Sequence, residues 1–283
     1  MNQPPLFSVI IPTYHRNDLL TKCLNCLAPG VQTLPTEQYE VIVTDDGSQT
    51  TAEEMIRQQY PWVKWVAGPR KGPAANRNNG AKFAQGEWLA FTDDDCLPKK
   101  EWLESFALSI TSDIYVYEGK TTCEIATKSP LEHSPINLTG GYLWSCNMMI
   151  QKKILLEKLK GFDENFPYPQ LEDVDLRERI KLFNYSYIIF VQDAVIDHPP
   201  KQVPWGRSLA KLHESHIYYW HKIGIQENLS KKLIISIINF RIRAIVKYPF
   251  SLESIKATIS LIIELIYTLK NLQTWNKKYK IID

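Results

Sequence analysis

The chain has 283 residues, of which 44% are hydrophobic and 23% charged, an ordinary globular composition that excludes a disordered or fibrous chain. Its length suits one large or two small domains. The formal charge of +2 hides a split, because residues 201–283 carry 14 Lys/Arg against 5 Asp/Glu while residues 1–200 carry 19 against 26. An acidic body with a basic tail turns the tail toward something anionic: a membrane surface, nucleic acid or another subunit. The opening Met1-Asn2-Gln3-Pro4-Pro5 lacks a basic segment ahead of an apolar run, so no secretory signal is expected. Five scattered cysteines make a full disulfide framework unexpected and a reducing cytoplasm the default.

Residues 7–11 form a short β-branched run that Pro12 is expected to stop, a buried strand. Asn17 or Asp18 can cap a helix whose Leu19, Leu20, Cys23, Leu24 and Leu27 keep helical spacing. A second strand over 39–43 ends in Asp45-Asp46-Gly47-Ser48. A helix over about 51–59, a strand over 63–66 and a helix over 73–84, with Pro73 in its first turn, follow. The strand over 88–91 runs into Asp93-Asp94-Asp95-Cys96, after which Pro98 and Glu101 open another helix. Further on, 114–125 and 142–150 read as strands, 171–183 as a helix, and 187–191 and 194–196 as two more strands. From Trp205 the pattern is helical, over about 205–223, 230–247 and 251–271. Neither the apolar run 233–246, interrupted by Arg241 and Arg243, nor 255–269 reaches the roughly 20 apolar residues of a membrane span. An interfacial helix remains compatible with them.

Alternating strands and helices with short links argue for a parallel sheet covered on both faces. Ligands of such sheets sit at the carboxyl ends of the strands, where both acidic clusters fall. Adjacent aspartates repel unless something neutralises them. Mn²⁺ or Mg²⁺, bound by carboxylates together with phosphate oxygens, is the natural partner. A solvated turn, or acids favoured at a helix N-terminus, is the alternative.

Five segments in order carry a resemblance. They are Val9-Ile10-Ile11-Pro12-Thr13-Tyr14, Val43-Thr44-Asp45-Asp46-Gly47-Ser48, the stretch from Gly72 to Gly80 containing Asn76-Arg77-Asn78-Asn79, Phe91-Thr92-Asp93-Asp94-Asp95, and Gly161-Phe162-Asp163-Glu164 followed by Glu172-Asp173-Val174-Asp175-Leu176. Together they make residues 7–200 resemble the family 2 glycosyltransferases. The resemblance implies the A-type fold of that family, a mixed and mainly parallel α/β sheet flanked by helices, here with an α-helical C-terminal extension. It divides the chain into a catalytic domain over 1–204, with a donor half to about 100 and an acceptor half beyond, and a helical, basic extension over 205–283.

The implied activity is metal-assisted, inverting transfer of a sugar from a nucleoside-diphosphate sugar, a UDP-sugar above all, to a saccharide or lipid-linked saccharide, in bacterial surface polysaccharide or glycoconjugate assembly. Tyr14 then stacks on the base, beside the Pro12 and Thr13 backbone. Asp46 accepts from a pyrimidine N–H, for which an acceptor-only carboxylate is suited. Arg77 reaches the nucleotide or its diphosphate with a guanidinium fork, Asp93 takes the ribose, Asp95 the metal, and Asp94 assists either. His198 is a further metal or phosphate ligand. Asp173 is the general base that deprotonates the acceptor hydroxyl, Glu172 positions the acceptor, and Trp144 offers an aromatic face to a sugar ring. Each has a plainer reading: surface aromatic, turn residue, surface Arg, loop His, first-turn acid or core Trp. Asn76 departs from the family's usual Ala.

Two rivals stand beside this reading. A sugar nucleotidyltransferase needs a Gly-rich basic loop that Tyr14-His15-Arg16-Asn17 does not supply. A non-catalytic scaffold on the same fold is the other. The pair Cys23 and Cys26 lacks a second pair for zinc, and His213 with His216 reads as helix surface. In the tail, Lys231, Lys232, Arg241, Arg243 and Lys247 fit peripheral contact with anionic lipid at the inner face of a membrane, or the helices pair two subunits as a homodimer. Nucleic acid is not expected, because the basic residues alternate with aliphatics rather than stacking aromatics.

Overall fold

A computed structural model describes residues 3–183, 187–225, 227–249 and 251–280. In chain order its main elements are β1 (Phe7–Thr13), α1 (Asn17–Leu27), β2 (Tyr39–Asp45), α2 (Glu53–Gln59), β3 (Val63–Ala67), α3 (Pro73–Phe83), β4 (Trp88–Phe91), β5 (Leu97–Pro98), α4 (Trp102–Ser109), β6 (Val116–Thr122) and β7 (Glu132–His133). They continue with β8 (Met148–Gln151), α5 (Glu172–Leu182), β9 (Ile188–Asp197), β10 (Lys201–Gln202), α6 (Arg207–Lys222), α7 (Leu229–Val246) and α8 (Leu252–Tyr279). The chain divides into two compact units. The first comprises Met1–Glu124, Pro135–Glu164 and Glu172–Pro199, the second Ile125–Ser134, Asn165–Leu171 and Pro200–Asp283.

The first unit is built on an eight-stranded sheet in the order β3-β2-β1-β4-β8-β6-β9-β5. β3, β2, β1 and β4 run parallel, β8 is antiparallel to both its neighbours, and β6 and β9 pair in parallel. The sheet is therefore mixed and mainly parallel, as expected. Alternation along β1 supplies two cores: Phe7, Val9 and Ile11 join Leu20 and Leu24 on one face, while Ile10 joins Ile42, Leu89 and Phe91 on the other. Both faces are covered, which is why β1 is apolar at nearly every position.

Pro12 does not stop the first strand. β1 runs on to Thr13 beside β2, whereas its pairing with β4 ends at Ile10 opposite Phe91. The missing N–H of Pro12 thus falls on a side where no further strand residue needs it. The strands expected over 187–191 and 194–196 are one strand, β9, whose pairing with β6 shifts register between Gly119 and Lys120. Of the strand expected over 142–150, only Met148–Gln151 forms. The preceding loop is captured by Glu118, as described below.

In the second unit, Ile217 of α6, Leu233 and Ile237 of α7, and Leu261, Leu272 and Trp275 of α8 form a separate core. Segments 125–134 and 165–171, both ahead of the expected boundary at 204, belong here. The Val203 N–H donates to Leu131 O at 2.7 Å, and Ser215 Oγ to Tyr168 O at 2.9 Å. Arg241 is 1% exposed and faces Glu264, Nε to Oε2 3.5 Å, so it cannot reach lipid as expected. His213 is not helix surface either. It is buried, with Nε2 2.7 Å from Glu264 Oε1. No helix among the described residues is long and apolar enough to cross a membrane.

Candidate active site

The parallel strands deliver their carboxyl ends to one place, and local hydrogen bonds fix the loops that leave them. Asn76, on α3, binds both flanking strand ends: its Oδ1 accepts from Thr44 Oγ1 at 2.6 Å, and its Nδ2 donates to Thr44 O at 2.8 Å and Thr13 O at 3.4 Å. Two residues on, Asn78 pairs like a peptide with the next turn. It donates to Phe162 O and accepts from Phe162 N, both at 2.8 Å, and donates also to Glu164 at 2.9 Å. Gly161 is required beside it, since its φ is +81° and a Cβ there would run into Asn78 Oδ1.

The Asp46 carboxylate accepts from the Arg70 and Gly72 N–H groups at 2.9 and 3.0 Å, while its own N–H donates to Thr13 O at 3.0 Å. Burial raises its pKa against these donors. Asp45 has a purely architectural task, accepting from the Gly47 and Ala52 N–H groups at 2.7 and 2.6 Å. Tyr14 is 57% exposed, its ring 4.2 Å from that of His15. His15 Nδ1 lies 2.7 Å from Thr50 Oγ1, tying the loop after β1 to the loop after β2.

The three aspartates after β4 have three environments. Asp93 faces Arg77, Oδ1 to Nη2 2.6 Å. The Asp94 side chain is fully buried: Thr13 Oγ1 donates to its Oδ2 at 2.7 Å, and Arg16 approaches both its oxygens at 2.7 and 3.1 Å. Burial pushes its pKa up to about 7 although Arg16 opposes the shift. Asp95 Oδ2 accepts from Arg16 Nη1 at 3.0 Å, and its Oδ1 lies 3.5 Å from His198 Nε2. Arg16 was not anticipated from the sequence. It bridges two members of the cluster; burial works against its charge, but Asp94 and Asp95 raise its pKa above the ordinary value.

Arg77 is 4% exposed. Its Nη2 meets Asp93 and its Nη1 lies 3.4 Å from Glu172 Oε1, so it clamps Asp93 to the first turn of α5. Burial works against its charge, but Asp93 and Glu172 raise its pKa. Glu172 is pushed up to about 7 by burial, with Arg77 opposing. Asp173, half-buried beside it, is raised by burial as well, the direction that prepares a carboxylate to take a proton near neutrality.

Contacts therefore form two sets, Thr13 with Asp46, Asp94, Asp95 and His198 by way of Arg16, and Arg77 with Asp93 and Glu172; they meet where Asp93 precedes Asp94 in the chain, with Asp173 adjacent to Glu172. Pro12 stands in the strand that leads to Thr13. Trp144 is set apart from these contacts. It is half-buried against the first core, with the Tyr142 ring 4.7 Å away. Its loop is held by Glu118, a buried carboxylate that the sequence reading passed over. The Gly141, Tyr142 and Leu143 N–H groups donate to it, the last at 2.7 Å, together with Asn137 Nδ2 at 3.0 Å.

The donor chemistry fits a divalent cation. Ligand atoms of Asp95, Cys96 and His198 lie within 4.8 Å of one another. His198 Nδ1 is 3.0 Å from Pro199 O; donating there, it turns the Nε2 lone pair toward the Asp95 carboxylate, as second-shell carbonyls do for metal-bound histidines. Cys96 does not fit Mn²⁺ or Mg²⁺. Burial keeps it a thiol, and hard cations prefer oxygen ligands.

This is the A-type glycosyltransferase fold. Over 96% of the chain it superposes on residues 1–349 of Staphylococcus aureus TarS in complex with UDP-GlcNAc, covering 91% of that chain with a TM-score of 0.55 at 19% identity. Over 98% it superposes on the mannosyltransferase PcManGT of Pyrobaculum calidifontis in complex with GDP-Man and Mn²⁺, covering 85% of that chain with a TM-score of 0.55 at 17% identity. Residues 8–134 match the model of Glycosyl transferase family 2. Among curated relatives, the glycosyltransferase AglE of Haloferax volcanii is 40% identical over 104 residues, 35% of this chain and 34% of that protein. TarS of S. aureus, a poly(ribitol-phosphate) beta-N-acetylglucosaminyltransferase, is 33% identical over 121 residues, 40% of this chain and 21% of the relative. The matches thus span 34% of AglE and 21% of TarS, and Glu172, Asp173 and His198 lie beyond the family match.

Proposed function

We propose that the protein transfers a sugar from a nucleoside-diphosphate sugar to an acceptor hydroxyl. The observation that carries this reading is the convergence of Asp46, Asp93, Asp95 and Asp173 on the carboxyl ends of β1, β2 and β4. Tyr14 lies open for a base, and Asp46 is an acceptor suited to a pyrimidine N–H, which favours a UDP-sugar, the donor class bound by TarS. Arg77 acts through Asp93 and Glu172, holding the donor and acceptor sides in register, rather than presenting its own guanidinium to solvent.

Asp95 and His198 would hold Mn²⁺ or Mg²⁺. When bound, the cation supplies positive charge that stabilises the departing diphosphate. Asp173 removes the proton of the acceptor hydroxyl as that oxygen attacks the anomeric carbon from the face opposite the leaving group, with inversion as the outcome. Glu172, beside Asp173 and held by Arg77, is placed to hydrogen-bond the acceptor. The acceptor is a saccharide or lipid-linked saccharide of surface polysaccharide assembly. The test is consumption of a panel of nucleotide sugars with Mn²⁺ and oligosaccharide acceptors, the product anomer being read by NMR. One UDP-sugar consumed with an inverted product is the expected result; a panel left intact would overturn the reading.

A further inference from the structure

α8 presents two faces with different tasks. One, containing Ala257, Leu261, Leu272 and Trp275, is buried in the core of the helical unit. The other carries Leu252, Ile255, Ile259, Ile262, Ile266 and Leu269, all large apolar side chains and all 47–61% exposed. Their 3-4-3-4-3 spacing keeps them on one stripe about 25 Å long. The unit has its own core, so folding does not require this stripe to be covered. A contiguous exposed apolar stripe of this kind marks an interaction surface.

The flanking charges choose the partner. Lys231, Lys232 and Arg243 of α7, Lys247 directly after it, and Lys256 and Lys270 of α8 are exposed. The two acids of these helices are withdrawn: Glu253 is half-buried in the first turn of α8, and Glu264 is buried against Arg241 and His213. α7 adds the exposed Ile235, Ile242 and Val246. A second copy docking here would set like charges against each other, with no exposed acid on either helix to offset them. We propose that the α7–α8 face seats on an anionic lipid bilayer, with the isoleucine stripe in the headgroup–acyl boundary and the lysines on lipid phosphates. This surface stands independently of the donor-site reading.

Flotation of the full chain with phosphatidylcholine vesicles, with and without phosphatidylglycerol, tests it. The wild type floats with the anionic vesicles and not with the neutral ones. Ile259→Ser/Ile266→Ser, which replaces exposed side chains and leaves the core intact, abolishes flotation. Lys256→Gln and Lys270→Gln each weaken partitioning about fivefold. Failure to float, equal flotation on both vesicle types, or a chain that is dimeric in solution and made monomeric by the isoleucine pair would overturn the proposal. Asp95→Ala floats like the wild type, so failed donor binding and failed membrane binding are separate results.

Discussion

The carboxyl-end crevice and the three-helix unit both bury charge, and they balance it differently. In the helical unit one carboxylate, Glu264, sits between Arg241 and His213, a closed set that ties three helices together. In the crevice Asp93, Asp94, Asp95, Glu172 and Asp173 gather, among the described residues, around Arg16 and Arg77. The first arrangement is a latch. The second is a site with more carboxylates than guanidinium partners, where burial first, and the neighbouring carboxylates after it, raise the pKa of Asp94, Glu172 and Asp173. On the proposed reading, a cation and a diphosphate complete it.

Removing the base should have the largest effect on the crevice. Asp173→Asn is expected to lower turnover by about 10²–10⁴-fold while donor affinity stays within about twofold; an unchanged kcat with a raised donor KM would break the assignment. Arg77→Met leaves Asp93 and Glu172 without their shared counter-ion, and urea unfolding should show a loss of about 3–5 kcal/mol. Glu118→Ala removes the acceptor for three backbone N–H groups, with a loss of about 1–3 kcal/mol and a raised acceptor KM as the Trp144 loop is released.

The pH response should separate the two regions by sign. Asp94 and Glu172 have folded-state values of about 7, above the ordinary unfolded carboxyl near 4. Their stabilising contribution is therefore full below about 4 and lost as pH rises through about 7. His216, lowered to about 4 by burial and the neighbouring His213, contributes above about 6.5 and loses that contribution as pH falls through 4. Segment-resolved hydrogen exchange of the metal-free chain at about pH 5 and about pH 8 should show α5 and the loop after β4 better protected at the lower pH, and α6 less protected. The smallest effect belongs to the surface: Ile259→Ser should change unfolding free energy by no more than about 0.5 kcal/mol.

How much was legible in the sequence follows the range of the interactions. Hydrophobic period and turn residues revealed the alternating elements of residues 7–109 and placed both acidic clusters at strand ends, because those signals are local. Arg16 finds Asp94 at a separation of 78 residues, Asn78 finds Phe162 at 84, and Glu118 finds Leu143 at 25. No periodicity announces such pairs. The strand expected over 142–150 illustrates the consequence: its apolar residues suit a strand, but Glu118 takes the backbone donors of residues 141–143. Arg77 and Arg241 show the same limit, since a sequence cannot tell a solvent-facing guanidinium from one enclosed by carboxylates.

The most direct test is calorimetric titration of uridine and guanosine diphosphates into the wild type and Asp95→Ala, with and without Mn²⁺. Binding of the uridine diphosphate that needs Mn²⁺ and is lost in Asp95→Ala is the predicted result. Absence of diphosphate binding to the wild type in the presence of Mn²⁺, or binding indifferent to both the metal and Asp95, would contradict the account of the crevice as a metal-dependent nucleotide-sugar site.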